Sequence, residues 1–324
     1  MVTVTLNPAI DQAVMIPRFR ANAVNRVTGE QRTAGGKGIN VATFLADYGV
    51  PVVVTGFLGR SNAGLFEAHF AERRIEDRLV RVEGATRVNL KILNQVEGEV
   101  TDINFPGQRP TREEICRLMA VVGALSRDRG WFVLSGSLPL GCRDDMYFSL
   151  VNPLRRAGCQ VLLDTAGEAL RQGLKAEPTV IKPNVRELEE ALGRTLSTEK
   201  ELVEAARRLV EEGVECVIVS RGAEGALWVD SKGALSARYR GRVKLQTTVG
   251  AGDALVAGYL AGRGEGLDCE ATACLAIAFS IAALQRTGLA LPDRSALKAL
   301  AGDVEVKRLP ESSGDARRFP GATG

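Results

Sequence analysis

Short, nearly continuous apolar runs alternate with amphipathic stretches along most of the chain. "VPVVVTGFLG" at 50–59 leads into "NAGLFEAHFAERR" at 62–74, and "GWFVLSG" at 130–136 leads through "SLPLGCRDD" into "MYFSLVNPLRRAG". "CQVLLDTAG" at 159–167, "PTVIKPN" at 178–184 and "ECVIVSRG" at 215–222 repeat the theme, with the helical pattern "VRELEEALG" after the second. Runs this short, rich in β-branched residues and bounded by Gly, Pro and Asn, predict strands covered on both faces, and the stretches between them predict amphipathic helices. The expectation is an α/β fold on a mostly parallel sheet flanked by helices.

Two segments break the rhythm. Residues 9–33, "AIDQAVMIPRFRANAVNRVTGEQRT", and 86–105, "TRVNLKILNQVEGEVTDINF", alternate apolar and polar positions without a helical period. The second predicts a hairpin around "QVEGE", with one apolar and one polar face. Strands detached from the main sheet in this way would form a small second sheet, a lid over the active face. The tail "PESSGDARRFPGATG" at 310–324 is rich in Pro, Gly, Ser and Arg and is expected to be disordered. The predicted organisation is one domain over 1–309 with the lid segments inserted in it, followed by that tail.

Composition narrows the chemistry. The 324 residues are 45% hydrophobic and 25% charged with a formal net charge of +3, too even a balance to predict a nucleic-acid partner. The six cysteines, at 116, 142, 159, 216, 269 and 274, never form C-x-x-C and are expected as buried, reduced thiols. His69 is the single histidine. It lies in a helical pattern, where a packing or surface role is expected, so zinc sites and Ser-His or Cys-His catalysis are excluded unless His69 itself is the base. Acid–base chemistry then falls to a carboxylate or a lysine. "MVTVTLNPAID" predicts a strand and a turn rather than a signal peptide, and the apolar run "CLAIAFSIAAL" is too short to cross a bilayer. The expectation is a cytoplasmic protein with no membrane partner.

In parallel α/β sheets, ligands bind beyond the carboxyl ends of the strands. The polar residues following the predicted strands place Asn7, Asp11, Ser137, Asp164, Lys182, Asn184, Glu187 and Gly222 along one sheet edge. "TVGAGDALVAGYLAG" begins there as well, with small residues suited to a closely packed helix. Gly250, Ala251, Gly252 and Asp253 would form its first turn, where N–H groups lack internal partners and favour an anion. A carboxylate held beside an anion suggests proton abstraction next to a transferring phosphoryl group. "AGGKGINVA" at 34–42 is a second glycine cluster, without the G-x-x-x-x-G-K-[ST] spacing of a P-loop. It is either a plain loop before a helix or a site in which backbone and Asn40 receive hydroxyls and Lys37 an anion.

"AGGKGINVATFLADYG" and "TVGAGD" together resemble the two signatures of the ribokinase-like, PfkB-type sugar kinases, in order and spacing, and the match runs from about residue 2 to 305. "TLNPAID", "TRVNLKI", "EVTDINFPG", "SGSLP", "KPNVRELE" and "SRGAEGALWV" are similar to the branch that acts on fructose 1-phosphate. The resemblance implies a ribokinase-like fold, ATP and Mg²⁺ as cofactors, a lid that doubles as a homodimer contact, and phosphorylation of D-fructose 1-phosphate at the 6-hydroxyl. Tagatose 6-phosphate and fructose 6-phosphate are the rival substrates. It implies Asp253 as the base and Gly250, Ala251 and Gly252 as the anion hole. Asn184 and Glu187 would hold the Mg²⁺–phosphate network through water, while Lys182, Ser220, Gly222 and Gly225 line the ATP site. Asp11, Gly36, Asn40 and Ser137 would contact the sugar. Lys37 and Arg87 would bind its phosphate, a sugar's length from Asp253, with Arg26 a further candidate. Lys37 and Asp102 depart from the glycine and arginine usual in the fructose 6-phosphate branch. A catalytically silent sugar-phosphate sensor on the same fold is disfavoured by the intact Asp253, anion hole and "NVRE" pair. A dinucleotide-dependent oxidoreductase fails for want of G-x-G-x-x-G after the first strand.

Overall fold

The computed structural model describes residues 1–310 apart from 129, 248 and 287, so the tail expected over 310–324 lies, but for Pro310, outside the described residues. The chain enters on β1 (Val2–Thr5) and leaves the main layer for β2 (Ala9–Ile16) and β3 (Gly29–Gly35). It returns through α1 (Lys37–Asp47) to β4 (Val53–Gly59), then runs through α2 (Gly64–Arg73), β5 (Glu76–Asp77) and β6 (Val80–Val82). A second excursion forms β7 (Arg87–Asn94) and β8 (Glu99–Ile103). After α3 (Arg112–Leu125) come β9 (Trp131–Ser135), α4 (Met146–Arg156), β10 (Gln160–Asp164), α5 (Gly167–Leu174) and β11 (Val180–Ile181). The chain continues through α6 (Val185–Leu192), α7 (Glu199–Glu211), β12 (Cys216–Ser220), β13 (Ala226–Asp230) and β14 (Gly233–Tyr239). It ends with α8 (Ala251–Gly264), α9 (Cys269–Leu284), α10 (Arg294–Gly302) and β15 (Val304–Leu309).

The large sheet has the order β15-β14-β13-β12-β11-β10-β9-β1-β4-β5, with β6 paired to β4. From β12 to β5 the strands are parallel, and β13, β14 and β15 extend the sheet antiparallel. β1, β9 and β10 are buried almost throughout because helices cover both faces, which is why their sequences are continuous apolar runs. β1 pairs with both β4 and β9, so the winding direction reverses at β1 and opens a crevice beyond its carboxyl end.

β3-β2-β7-β8 form a separate four-stranded sheet over that crevice. Its own core is small: Val14, Ile16 and Ile92, with Phe19 and Leu90 packed against them. β8 is exposed along its length, and Val100, Ile103 and Phe105 keep 54%, 43% and 50% of their surface in solvent.

α8 and α9 form a buried layer under the antiparallel part of the sheet. Their axes approach closely because α8 carries glycine at the contact. A Cβ on Gly258 would lie 2.7 Å from Ala276 Cα, and one on Gly262 would lie 3.1 Å from Thr272 Cα. The cysteines depart from expectation: none of the six is in a disulfide, but only Cys159 is buried, and Cys116 and Cys269 are exposed. Apolar neighbours in sequence placed them on half-covered strand ends and helix faces rather than in the core.

Two glycine substitutions should therefore have opposite signs. Gly258→Val, with no room against Ala276, should destabilise by about 1–3 kcal/mol. Gly123→Ala adds a Cβ that meets nothing within 4 Å inside α3, and should stabilise by about 0.4–1 kcal/mol. Thermal denaturation of both variants checks this, and an equal effect of the two would contradict the packing described.

Candidate active site

α8 begins at the crevice. Its N-cap, Gly250, has φ +80°, a conformation that favours glycine, and no side chain caps the helix. The first N–H groups therefore face the crevice without intramolecular partners, as an anion site requires. Asp253 sits in that first turn, 7% exposed. Asn40, from α1, donates from Nδ2 to Asp253 Oδ2 at 2.7 Å. Asn40 thus orients the carboxylate rather than only contacting a sugar, and its own Oδ1 is buried without a partner, free to accept from an incoming hydroxyl.

Next to this pair is a buried cluster of charges. Asp164, at the end of β10, is 1% exposed and binds two lysines through Oδ1: Lys37 Nζ at 3.1 Å and Lys182 Nζ at 3.3 Å. Burial works against the Asp164 carboxylate, but Lys182 and Lys37 more than offset it and hold its pKa below the usual range. Burial also disfavours the charge of Lys37, yet Asp164, Asp253 and Glu187 outweigh it and hold the ammonium above its ordinary value. Asp253 goes the other way. Burial and then repulsion from Asp164 push its pKa up to about 6, against the opposing pull of Lys37, Asn40 and Lys182. A carboxylate tuned toward neutrality beside an open helix terminus can accept a proton from a hydroxyl and remain a base at physiological pH.

The arrangement adds partners that the sequence did not show. Strand order brings Lys37 to Asp164, next to Asp253. Lys182 is 4% exposed and lies beneath the first turn of α8, where a Cβ on Gly252 would be 3.7 Å from its Nζ. Asp164 was visible in the sequence only as one polar residue among several at the sheet edge, and its partners depend on β10, β11 and α1 meeting.

Under the lid, the Asp11 carboxylate occupies the space a Cβ on Gly35 would fill, with Oδ2 2.1 Å from that position, so the glycine loop and Asp11 fit together. Asn89 Nδ2 donates to Asp11 Oδ1 at 3.4 Å. Gly36, in the left-handed region at φ +119°, is the N-cap of α1. Asn7 Nδ2 donates to Ser137 Oγ at 3.1 Å, tying the end of β1 to the loop after β9. Arg87 is half-buried and donates to three backbone carbonyls: Nε to Pro8 at 3.2 Å, Nη1 to Phe105 at 2.6 Å and Nη2 to Asn7 at 2.9 Å. It is a staple at the base of the lid, with one N–H left on each terminal nitrogen. Arg26 is exposed in the β2–β3 connection.

On the other side of α8 lies a cavity of about 820 Å³, whose lining includes Ser220, Gly222, Gly225, Ala251 and Gly252. Its apolar wall includes Tyr239, Leu255, Ile277 and Ile281, which the sequence did not single out because α9 is apolar on every face. Asn184 and Glu187 cap α6 reciprocally: Glu187 N–H donates to Asn184 Oδ1 at 2.8 Å, and Asn184 N–H to Glu187 Oε2 at 2.9 Å. His69 takes no part. Its Nε2 lies 2.8 Å from Thr43 Oγ1, and burial followed by Arg73 lowers its pKa to about 4.

The chain matches the pfkB family carbohydrate kinase model over residues 4–296. It is 46% identical over 309 residues to the 1-phosphofructokinase of Rhodobacter capsulatus, covering 95% of this chain and 98% of that one. It is 39% identical over 305 residues to the 1-phosphofructokinase of Escherichia coli K12, covering 94% and 97%. Among solved structures, phosphofructokinase-2 from Escherichia coli in complex with potassium superposes with a TM-score of 0.88 at 28% identity, covering 93% and 98%. A Thermotoga maritima structure described as a possible 1-phosphofructokinase gives 0.86 at 30% identity, covering 95% and 99%. No described helix is long and apolar enough to cross a membrane.

If Asp253 acts as a base, turnover should fall as pH drops through about 6, where the carboxylate takes up its proton. Asp164→Asn removes the repulsion that raises this pKa and releases two lysines that lower it. The acid limb of the kcat/KM profile should then move to lower pH. A limb that stays in place, or moves up, would remove Asp164 from control of Asp253.

Proposed function

The chain belongs to the pfkB family of carbohydrate kinases, and on that premise we propose that it transfers the γ-phosphoryl group of ATP to the 6-hydroxyl of D-fructose 1-phosphate, giving fructose 1,6-bisphosphate and ADP. The observation that carries the reading is Asp253, a carboxylate of raised pKa in the uncapped first turn of α8. Similarity to curated 1-phosphofructokinases at 38–46% identity supports the choice of sugar. A cytoplasmic location, where ATP is supplied, is part of the same reading.

Each residue then has a task. Asn40 holds the Asp253 carboxylate toward the acceptor hydroxyl, and Asp253 removes its proton as the phosphoryl group arrives. The N–H groups of the first turn, from Gly250 to Gly252, receive the charge that develops on the phosphoryl oxygens. Lys37, placed by Asp164 at this end, adds a positive charge to the same region. Arg87 meets the 1-phosphate with its two remaining N–H groups, and Asp11 and Asn40 Oδ1 accept from sugar hydroxyls. Ser220, Gly222 and Gly225 border the nucleotide.

Magnesium fits as a water-bridged ion. Among the described residues no cluster of three or more His, Cys, Asp or Glu could hold a bare metal ion. Asp164 Oδ2 is a buried acceptor with no partner, and Glu187 has one carboxylate oxygen outside its capping bonds. These oxygens suit the waters that magnesium retains when its other ligands are phosphates. Bound with ATP, the ion would neutralise charge on the phosphate chain.

We also propose that the lid serves as the contact of a homodimer. β8 is an edge strand with Val100 and Ile103 exposed, an arrangement that invites pairing with a second copy. Light scattering should find a dimer for the native chain and a monomer for Val100→Lys combined with Ile103→Glu, and two unchanged masses would refute the contact.

A coupled assay of ADP release across fructose 1-phosphate, tagatose 6-phosphate and fructose 6-phosphate tests the substrate. The highest kcat/KM should belong to fructose 1-phosphate, and a clear preference for another sugar would overturn the assignment. Asp253→Asn should lose roughly 10²–10⁴ in rate while still binding ATP. Arg87→Ala should raise KM for the sugar phosphate by roughly ten- to hundredfold, as expected for loss of a charge-assisted hydrogen bond, and leave KM for ATP nearly unchanged. The reverse split would exchange the two subsites.

A further inference from the structure

Asn7 lies just past the end of β1 and is 7% exposed. Its main-chain oxygen accepts from Arg87 Nη2 at 2.9 Å. Its side-chain Nδ2 lies 3.1 Å from Ser137 Oγ, 3.3 Å from the Pro106 carbonyl and 3.4 Å from the Leu138 carbonyl. One residue therefore meets the start of β7, the loop between β8 and α3, and the loop after β9.

The two carbonyls decide which way the carboxamide points. A main-chain carbonyl only accepts, so the N–H end of Asn7 must face Pro106 and Leu138. Those two acceptors would use both N–H groups of a residue that did nothing but join loops. The shortest contact is instead to Ser137 Oγ, on an exposed side chain that the core does not need. An N–H directed at Ser137 occupies a lone pair of that hydroxyl and leaves its hydrogen to be donated. Among the described residues that hydrogen has no acceptor.

A glycine makes room for this arrangement. Gly107 has φ +89°, in the left-handed region, and a Cβ there would lie 2.1 Å from Asn7 Oδ1. The same Cβ would meet Arg87 Cδ at 3.4 Å, an ordinary van der Waals contact. A side chain at 107 would thus move Asn7 off Ser137 while leaving Arg87 in place. The segment Pro106–Gly107 is shaped around the Asn7 carboxamide.

We infer that Asn7 is the positioning residue of the subsite for the phosphate on the sugar. Its main-chain oxygen orients the Arg87 guanidinium, and its side chain turns Ser137 into a donor, so both residues present hydrogens to one anion. A phosphate dianion only accepts and suits a set made of donors alone, whereas a sugar hydroxyl needs an acceptor as readily as a donor. The inference rests on the fructose 1-phosphate reading and adds to it the residue that holds the two phosphate donors together.

Asn7→Ala keeps the main-chain bond to Arg87 and removes only the side chain. It should raise KM for fructose 1-phosphate by roughly tenfold or more, the loss expected for one hydrogen bond to a charged group, with kcat and KM for ATP near native. Ser137→Ala should raise the same KM by a similar factor. The double variant should do no more than either single one, because Asn7 acts through Ser137. In Asn7→Asp an oxygen replaces Nδ2 and takes the Ser137 hydrogen for itself, so KM should rise further than in Asn7→Ala. Gly107→Ala displaces the Asn7 side chain without changing that residue, and should reproduce the rise even if the Asn7 variants do not fold. A native chain inactive on fructose 1-phosphate would overturn this inference together with the proposed function. Activity on that sugar, combined with a native KM in Ser137→Ala or Gly107→Ala, would overturn this inference alone. So would additive effects of Asn7→Ala and Ser137→Ala, or an equal rise in KM for ATP.

Discussion

The site is organised around one buried carboxylate. Asp164 is almost fully removed from water, and a lone charge in that position would be prohibitively unfavourable. It is tolerated because Lys37 and Lys182 reach it from α1 and from the end of β11. Removing one partner of a buried ion pair typically costs about 3–5 kcal/mol, so the three elements are locked to one another at the crevice. The same charge has a second consequence. It repels the carboxylate of Asp253 and helps hold it partway to protonation, so the group that fixes the geometry also sets the chemistry.

Around this centre, backbone geometry matters as much as side chains. α8 starts at a glycine in the left-handed region without a side-chain cap, whereas α3, α6 and α7 start with reciprocal capping boxes. A capped terminus stabilises its own helix; an uncapped one at a crevice is left to a ligand. The close seating of α8 on α9, allowed by Gly258, places that terminus firmly, because a helix buried along most of its length has little freedom to shift.

The lid is a different kind of object. It has a small core and an exposed edge strand, and it is joined to the main body at Asn7–Pro8 and at Arg87. Arg87 links the start of β7 to both sides of the joint through three carbonyls, so a phosphate bound by its remaining N–H groups would also engage the hinge. In the proposed reading, substrate recognition and lid position would be coupled there by ordinary hydrogen bonding.

Much of this was legible in the sequence. Continuous apolar runs identified the parallel strands, alternation without a helical period marked the lid segments, and "TVGAGD" marked a helix start that favours an anion beside a carboxylate. Each of these is a local property: periodicity records which face of an element is covered, and glycine records where the backbone must turn or approach closely. Partnership is not local. Lys37 and Asp164 are 127 positions apart, and Asn40 and Asp253 are 213 apart. Nothing in the spacing of either pair says that they meet. For that reason the sequence alone showed neither the Lys37–Asp164–Lys182 cluster nor the bond from Asn40 to Asp253. Strand order, with β1 between β4 and β9 and β10 beside β11, decides which strand ends converge, and it is a property of the assembled sheet.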